Sequence, residues 1–316
     1  MVEVEGRIRV LAVDGGQSAI RAMTNEGGDV AEVEGISRDA TSEDRVVDAI
    51  AAAWAKLGRP PIDRVMLGLT TAPVDSERAR SLAARVAHAI DVDEVWISDD
   101  AVTSHAGALS CGSGVTLTVG TGVACLVVPE RGEPTTIGGH GYLLGDEGGG
   151  FWIGREGLRA ALRAAEGRGP RTTLTDLAAQ RFGALTEVPV RLHDDARAID
   201  TIARFATDVL GATNDDSRAA TIVDEAAHEL HGVIEAAVDI ARAAGERVSV
   251  PVALGGRLLT TPTPLRHALD QRLGSDRRVD VRTADASPLV GAMAIGTQQT
   301  PGRYSPLVHI WRGGEQ

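Results

Sequence analysis

The sequence predicts an α/β fold built from two similar halves, with a cleft between them. The first observation is an order of elements, namely three strands, helix, strand, helix and strand, which starts again at Val115. The second is that each half opens with a buried strand that breaks at a glycine-rich turn, Asp14-Gly15-Gly16 in the first half and Gly120-Thr121-Gly122 in the second. A chain of 316 residues is long enough for two domains of ordinary size.

Hydrophobic periodicity predicts the elements of the first half in order. Strands are expected at residues 7–14, 20–24, 30–33, 65–69 and 94–98, and helices at residues 41–57 and 75–90. The first helix illustrates the pattern, because Val46, Ile50 and Leu57 share one face. Gly58 follows that face directly and is typical of a helix C-terminus.

The second half repeats the pattern with more helix. Strands are expected at residues 115–119, 123–128, 134–137, 251–254 and 279–281; helices are expected at residues 151–244, with breaks near 167–170 and 183–189, at 258–273 and at 288–296. These elements place a first domain at residues 1–106, with the helix near 288–298 as a candidate to complete it. A second domain follows at residues 107–287. Residues 299–316 form a tail without a clear period.

One segment, residues 138–158, combines features that elsewhere occur separately. It reads GGHGYLLGDEGGGFWIGREGL, with glycines at its start, the acid pair Asp146-Glu147, three further glycines and a helical pattern from Phe151. Glycines let the backbone approach a ligand closely. A surface turn before a helix and a binding loop are equally compatible with this segment taken alone.

Composition excludes several classes of partner and compartment. The net charge of −12 and the pI of about 5.1 argue against nucleic acid and against an anionic membrane surface. The N-terminus has no signal-peptide pattern, and no apolar run approaches the length of a membrane span. Cys111 and Cys125 are too few for a disulfide framework and lack zinc spacing. We therefore expect a soluble cytoplasmic protein.

Glycine turns and acids follow the predicted strands. Asp14-Gly15-Gly16, Asp99-Asp100, Gly120-Thr121-Gly122 and Gly255-Gly256 each come directly after a strand, where open α/β sheets bind their ligands. Glycine turns at such places present backbone N–H groups to phosphate oxygens. Two such turns in equivalent positions of repeated halves are hard to explain as plain hairpins.

The acids at these strand ends suggest phosphoryl transfer. Lys56 is the only lysine of the chain and falls on a predicted surface helix, so a metal has to neutralise phosphate charge instead. Asp14 is placed to hold Mg²⁺ directly or through waters. Asp99 and Asp100 are the candidates for a general base, although capping of the next helix alone would account for one of the two.

Five motifs of this chain together resemble those of a known family. Their sequences are LAVDGGQS at residues 11–18, SDDAVTSHAGAL at 98–109, GVTLTVGTGVACLVV at 114–128, VALGGRLL at 252–259 and the GDEG run described above. Together they are similar to the BadF/BadG/BcrA/BcrD ATPase family, and within it to its amino-sugar kinases. The resemblance implies two ribonuclease-H-like domains, the sugar kinase/Hsp70/actin fold, around a cleft for nucleotide and sugar.

The resemblance also implies roles for individual residues. It assigns Asp100 as the catalytic base, Asp14 as the metal-binding acid, ATP and Mg²⁺ as the cofactors, a sugar as the substrate and a homodimer as the assembly. The residues implied to bind ATP phosphates or adenosine are Asp14, Gly15, Gly16, Ser18, Gly120, Thr121, Gly122, Gly255 and Gly256. The residues implied to line the sugar pocket are Asp39, Thr71, Gly139, His140, Gly141, Asp146 and Glu147.

The chain departs from the family pattern where the family binds sugar. The loop at residues 35–39 lacks the usual Asn, Val123-Ala124 replaces a polar pair, and His140 replaces a common Trp. The residues expected to bind phosphate match the family pattern, whereas those expected to contact the sugar differ from it. This combination predicts a kinase that acts on a different sugar, so that free glucosamine or a plain hexose is preferred over N-acetylglucosamine. Two alternatives are an activator ATPase with an iron–sulfur cluster, for which only Cys111 is a free candidate ligand, and a sugar-responsive regulator without kinase activity.

Overall fold

Two β-sheets organise the residues that the computed structural model describes, which are 8–16, 19–35, 43–70, 72–73, 75–245 and 248–314. These residues fall into two compact units. The first lies within Met1–Ser113, Gly132–Pro134 and Thr283–Gln316, and the second within Gly114–Arg131 and Thr135–Arg282. Each unit contains one of the sheets, so the predicted α/β fold in two parts is confirmed.

The first unit contains a six-stranded sheet. Its strands are β1 (Val10–Gly15), β2 (Ala19–Thr24), β3 (Val30–Glu34), β4 (Arg64–Leu69), β5 (Glu94–Asp99) and β11 (Val308–Arg312). Its helices are α1 (Glu43–Lys56), α2 (Ser76–Ile90), α3 (Asp100–Ala108) and α11 (Pro288–Gly296). The strand order is β11-β5-β4-β1-β2-β3, in which β1, β4 and β5 run parallel and the other pairs are antiparallel.

Helices cover both faces of this sheet, which explains the continuous apolar runs of its central strands. Leu11 and Val13 of β1 belong to the core cluster that includes residues of α1 and α2. On the opposite face, Val10 of β1 and Met66 of β4 lie against Gly296, at the end of α11. Alternation of side chains along β1 therefore supplies both cores at once.

The second unit contains a five-stranded sheet with the order β10-β9-β6-β7-β8. Its strands are β6 (Gly114–Val119), β7 (Val123–Val128), β8 (Thr135–Ile137), β9 (Val250–Gly255) and β10 (Val279–Arg282). Its helices are α4 (Gly150–Ala165), α5 (Leu174–Phe182), α6 (Val188–Asp194), α7 (Ala198–Gly211), α8 (Ser217–Ala243), α9 (Arg257–Thr260) and α10 (Pro264–Leu273).

The two sheets share one topology, as the repeated sequence pattern predicts. In each unit the first strand forms an antiparallel meander with the next two and pairs in parallel with the fourth, which pairs in parallel with the fifth. The carboxyl ends of the parallel strands, β1, β4 and β5 in one unit and β6, β9 and β10 in the other, therefore lie along one edge of each sheet. Those edges are where the glycine turns and the acids occur.

Three regions differ from the sequence-based expectation. The helical stretch expected over residues 151–244 has two further breaks, at residues 195–197 between α6 and α7 and at residues 212–216 between α7 and α8. The helix predicted over residues 258–273 is two helices, α9 and α10, because Pro262 interrupts it and Thr263 caps a new start by accepting a hydrogen bond from Arg266 N at 3.0 Å. The tail without a clear period contains a 3₁₀ turn (Gly302–Leu307) and β11, which extends the first sheet beside β5. Across the described ranges, no helix is both long and apolar enough to span a membrane.

Candidate functional site

Polar side chains lie at or directly after the carboxyl ends of three neighbouring strands of the first unit. The parallel register pairs Asp14 of β1 with Gly68 of β4, and Leu69 of β4 with Asp99 of β5. Because β4 lies between β1 and β5, the residues that follow these pairs converge at one edge of the sheet. This geometry places Asp14, Thr70 and Asp100 in one cluster.

Asp100 and its neighbour Asp99 have different surroundings. Asp99 is the N-cap of α3, and its Oδ1 accepts a hydrogen bond from Ala101 N at 2.9 Å. Asp100 is the first residue of α3, and its Oδ2 accepts a hydrogen bond from the Thr70 hydroxyl at 2.6 Å. The capping alternative considered for the pair thus falls on Asp99, which leaves Asp100 as the acid that faces the polar cluster.

Asp14 is a largely buried carboxylate with an acidic neighbour. Burial raises its pKa most, the nearby Asp100 carboxylate raises it further, and Arg21 acts in the opposite direction. Arg21 Nη1 lies 3.8 Å from Asp14 Oδ2, and Arg21 Nε donates to Glu32 Oε2 at 2.9 Å. Arg21 was not among the residues predicted from the sequence, although the register of the β1–β2 hairpin, which pairs it with Asp14, indicates the contact.

This cluster is suited to a magnesium ion that also binds phosphate. Mg²⁺ commonly uses one or two protein carboxylates and completes its shell with waters and substrate phosphates. Asp100 adds to the cost of ionising Asp14, and a nearby divalent cation would offset that cost. Within the described ranges, no group of three or more His, Cys, Asp or Glu side chains is placed to hold a metal ion by itself.

In the second unit, the Gly120-Thr121-Gly122 turn is held by its carbonyl groups. Gly150 N donates to Gly120 O at 2.8 Å, and Phe151 N donates to Thr121 O at 2.9 Å. In a trans peptide the C=O and the N–H point in opposite directions. The N–H groups of Thr121 and Gly122 therefore point away from α4, and neither has a hydrogen-bond acceptor in the described part of the protein.

Gly149 and Gly150, at the start of α4, allow this contact, while Gly148 lies against Leu230 of α8, so these three glycines do not surround an open space. Gly148, Gly149 and Gly150 are buried, and a Cβ on Gly149 would lie 3.0 Å from Thr121 O while one on Gly150 would lie 2.9 Å from Gly120 O. The sequence predicts that the glycines at the start of this segment let the backbone approach a ligand closely. That interpretation fits the earlier positions Gly138 and Gly141, where a Cβ would meet nothing within 4 Å.

Asp146 connects the acidic segment to the same turn. It is 9% exposed, with φ of 60°, and its Oδ1 accepts a hydrogen bond from Val123 N at 3.3 Å. A Cβ on Gly122 would lie 2.4 Å from Asp146 Oδ2, so only glycine leaves space for this carboxylate. Glu147, Gly139 and His140 are exposed. The structure thus places Asp146 against the glycine turn and leaves Glu147, Gly139 and His140 exposed, while Gly141 is half-buried.

The Gly255-Gly256 turn lies beside the end of β6. Gly256 has φ of 81°, and a Cβ there would lie 2.3 Å from Val119 O, so the close approach of the two strand ends requires glycine. The parallel register of β6 and β9 pairs Thr118 with Gly255. The two glycine turns of the second unit, predicted separately from the sequence, are therefore neighbours at one edge of its sheet.

A pocket of about 430 Å³ opens in the second unit a few residues beyond Gly256. It lies between the α7–α8 and α9–α10 connections, and five of its ten lining residues are apolar. The lining residues are Thr213, Asn214, Ala220, Val223, Asp224, Pro262, Thr263, Pro264, His267 and Ala268. This pocket was not predicted from the sequence, because its two sides are far apart along the chain.

Three predicted site residues, Ser18, Asp39 and Thr71, lie outside the described residues. Thr70, which the sequence analysis did not select, lies directly beside one of them. Its position directly after the central parallel strand β4 was the available signal, since Asp14 lies near the end of β1 and Asp100 directly follows β5.

A family comparison covers most of the chain. The model of the BadF/BadG/BcrA/BcrD ATPase family matches residues 11–295. This range includes the strand ends, both glycine turns of the second unit and the pocket.

Two curated relatives and one solved structure that are similar to this chain are named as amino-sugar kinases. Residues of this chain are 27% identical over 128 residues to the N-acetylmuramic acid/N-acetylglucosamine kinase of Clostridium acetobutylicum, covering 40% of this chain and 42% of that protein. They are 27% identical over 137 residues to the glucosamine kinase GspK of Vibrio cholerae, covering 43% and 46%. Each alignment thus spans less than half of the relative. A provisionally assigned N-acetylglucosamine kinase from Chromobacterium violaceum superposes with a TM-score of 0.69 at 25% identity, covering 92% of this chain and all of that one.

Proposed function

Because the chain belongs to the BadF/BadG/BcrA/BcrD ATPase family, we propose that it is an ATP-dependent kinase for the 6-hydroxyl of an amino sugar or a related hexose. The observation that carries this proposal is the cluster of Asp14, Thr70 and Asp100 at three adjacent strand ends. It combines an acid suited to a metal–phosphate complex with a second acid suited to proton transfer.

Asp100 acts as the general base in this proposal. The sugar oxygen attacks the γ-phosphorus of ATP, the bond between that phosphorus and the ADP oxygen breaks, and the hydroxyl proton passes to the Asp100 carboxylate. Thr70 occupies Asp100 Oδ2, so Oδ1 is the oxygen that receives the proton. Positioned bases of this kind contribute about 10²–10⁴ in rate.

In this proposal, backbone N–H groups and a metal ion held by Asp14 stabilise the negative charge of the phosphates. The N–H groups of Thr121 and Gly122, directed away from α4, are suited to phosphate oxygens. Mg²⁺ bound with ATP would neutralise charge on the transferring phosphoryl group. Asp14 would hold this ion. The ion is needed more here than in kinases with a phosphate-binding lysine, because the single lysine, Lys56, instead donates to Glu32 O at 2.7 Å.

The pocket beyond Gly256 is proposed to take the base of the nucleotide. Its apolar residues Ala220, Val223 and Pro262 are suited to the faces of a purine, and the Thr213 and Asn214 side chains offer hydrogen-bonding groups at its rim. Its position next to α9, which begins after the Gly255-Gly256 turn, is compatible with phosphates at the glycine turns.

The acceptor is tested with a panel of sugars. We expect free glucosamine or glucose to have a kcat/KM about tenfold or more above that of N-acetylglucosamine, because Ala124 offers no polar partner and an unpaired amide group costs about 1–3 kcal/mol. A coupled ADP-release assay with the three sugars side by side measures this ratio. A higher kcat/KM for N-acetylglucosamine contradicts the predicted preference, and ADP release that no sugar stimulates contradicts the kinase proposal itself.

Asp146 is expected to bind sugar hydroxyls through its charge. Asp146→Asn keeps an acceptor for Val123 N but removes the charge, so KM for the sugar should rise about tenfold to a hundredfold while KM for ATP changes little. Asp146→Ala also removes the contact between this side chain and Gly122, so it is expected to raise both KM for the sugar and KM for ATP. Normal sugar kinetics in Asp146→Asn would limit the role of Asp146 to holding the turn.

An activator ATPase with an iron–sulfur cluster is less compatible with the cysteines. Cys125 is buried in β7, and burial raises its pKa to about 12. Burial also raises the pKa of Cys111, which is only partly exposed. Cluster ligands are thiolates, so neither residue is prepared for that role.

A further inference from the structure

We propose that Thr70 is a positioning residue that holds the Asp100 carboxylate in its reactive orientation and couples it to the first glycine turn. This inference rests on the proposed kinase function, in which Asp100 is the base. Thr70 directly follows β4, which lies between β1, the strand that carries Asp14, and β5, the strand that Asp100 directly follows. Its side chain is therefore placed to reach both of the neighbouring strand ends.

The hydrogen bonds of Thr70 show which group receives its hydroxyl proton. Thr70 N donates to Gly15 O at 3.0 Å, so this carbonyl already has a donor. The hydroxyl oxygen lies 3.2 Å from the same carbonyl but 2.6 Å from Asp100 Oδ2. A hydroxyl has one proton, and a carboxylate is the stronger acceptor at the shorter distance. The proton therefore points at Asp100.

This arrangement leaves the two Asp100 oxygens inequivalent. Oδ2 is held by Thr70, while the backbone of Asp100 is held as the first residue of α3. Rotation of the carboxylate about its last torsion would break a short, charge-assisted bond. Because Thr70 N is bonded to Gly15 O, the same residue also sets the distance between the base and the turn that follows Asp14. Misplacement of a reacting group by a small distance is costly in catalysis.

The kinetic test compares Thr70→Val with Thr70→Ser. Valine keeps the shape of the side chain and removes the hydroxyl, so kcat should fall about tenfold to a hundredfold, while KM for ATP should stay within about twofold. Serine retains the hydroxyl and should recover most of the lost turnover. Thr297→Val is a matched control in the same unit, because the Thr297 hydroxyl donates to Met293 O at 2.9 Å, and it should leave kcat unchanged.

A double mutant separates positioning from a structural effect. If Thr70 acts only through Asp100, Thr70→Val should change the residual kcat of Asp100→Asn by less than about twofold. Equal losses in the parent and in the Asp100→Asn background would overturn the inference. Failure of Thr70→Ser to recover turnover would overturn it as well.

A stability measurement decides the contact independently of the substrate. Denaturant unfolding of the parent, Thr70→Val, Asp100→Ala and the double variant gives the coupling between the two side chains. We expect the double variant to be less destabilised than the two single effects added together. Strict additivity would overturn the inference even in an active enzyme. Coupling in a protein that phosphorylates no sugar would retain the contact and reject only the kinase function.

Discussion

Asp100→Asn should lower kcat by about 10²–10⁴ and leave the binding of ATP intact. Asparagine keeps the size of the side chain and an oxygen that can accept the Thr70 hydroxyl proton, but it cannot accept the proton of the attacking sugar hydroxyl. Turnover is measured by coupled ADP release at saturating sugar, and nucleotide affinity by calorimetry. A loss of both would indicate a damaged fold and not a missing base.

Asp99→Asn is the matched control for this experiment. Asp99 is the neighbouring acid, and its carboxylate caps α3 through Ala101 N. Asparagine is an equally good N-cap, so Asp99→Asn should retain both turnover and stability. If Asp99→Asn is inactive while Asp100→Asn turns over normally, the proton acceptor is Asp99, and the Thr70 contact has no part in proton transfer.

Asp14→Asn should abolish most of the turnover and weaken binding of Mg·ATP without weakening binding of metal-free ATP. Neither the only lysine, Lys56, nor Arg21 can replace the metal in neutralising phosphate charge, because Lys56 donates to Glu32 O and Arg21 donates to the Glu32 carboxylate. Glu32→Gln is a useful control, since it releases Arg21 without touching Asp14. Parent-like affinity for Mg·ATP and normal turnover in Asp14→Asn would contradict the assignment of Asp14 as the metal-binding acid.

The same variant should be more stable than the parent in metal-free buffer at neutral pH. Burial first, and Asp100 second, raise the pKa of Asp14 in the folded protein. The ionised side chain therefore destabilises the native state at a pH above its folded pKa, and this cost vanishes below the unfolded value of about 4. Thermal unfolding at a series of pH values should show an advantage of Asp14→Asn that disappears as the pH falls. A variant less stable than the parent at neutral pH would contradict this account.

Local patterns in the sequence were enough to predict most elements and the positions of the glycine turns. Strands such as β4 and β6 are short apolar runs that end at a turn or at a polar residue, and α1 has one apolar face followed by glycine. These signals depend on residues a few positions apart, so they can be recognised without knowing the fold. The order of strands and helices, repeated in both halves, then predicted the shared topology.

The packing of the site depended on contacts between distant segments. The role of Asp146 against Gly122, the burial of Gly149 and Gly150 against the second turn, and the pocket beyond Gly256 all join segments that no local period relates. Sequence spacing identified these residues as candidates for a binding site. It could not distinguish a glycine that leaves space for a ligand from a glycine that leaves space for another segment of the chain.

What the sequence by itself determined is that acids and glycines follow strands at corresponding places in two halves, because hydrophobic periodicity and turn preferences act over short distances. Only the tertiary structure decided which of these strand ends are neighbours. The parallel pairing of β4 with both β1 and β5 brings Thr70 between Asp14 and Asp100, and the tail joins the same sheet as β11. Strand partners are selected by burial and hydrogen bonding across the whole sheet, and a short segment does not contain that information.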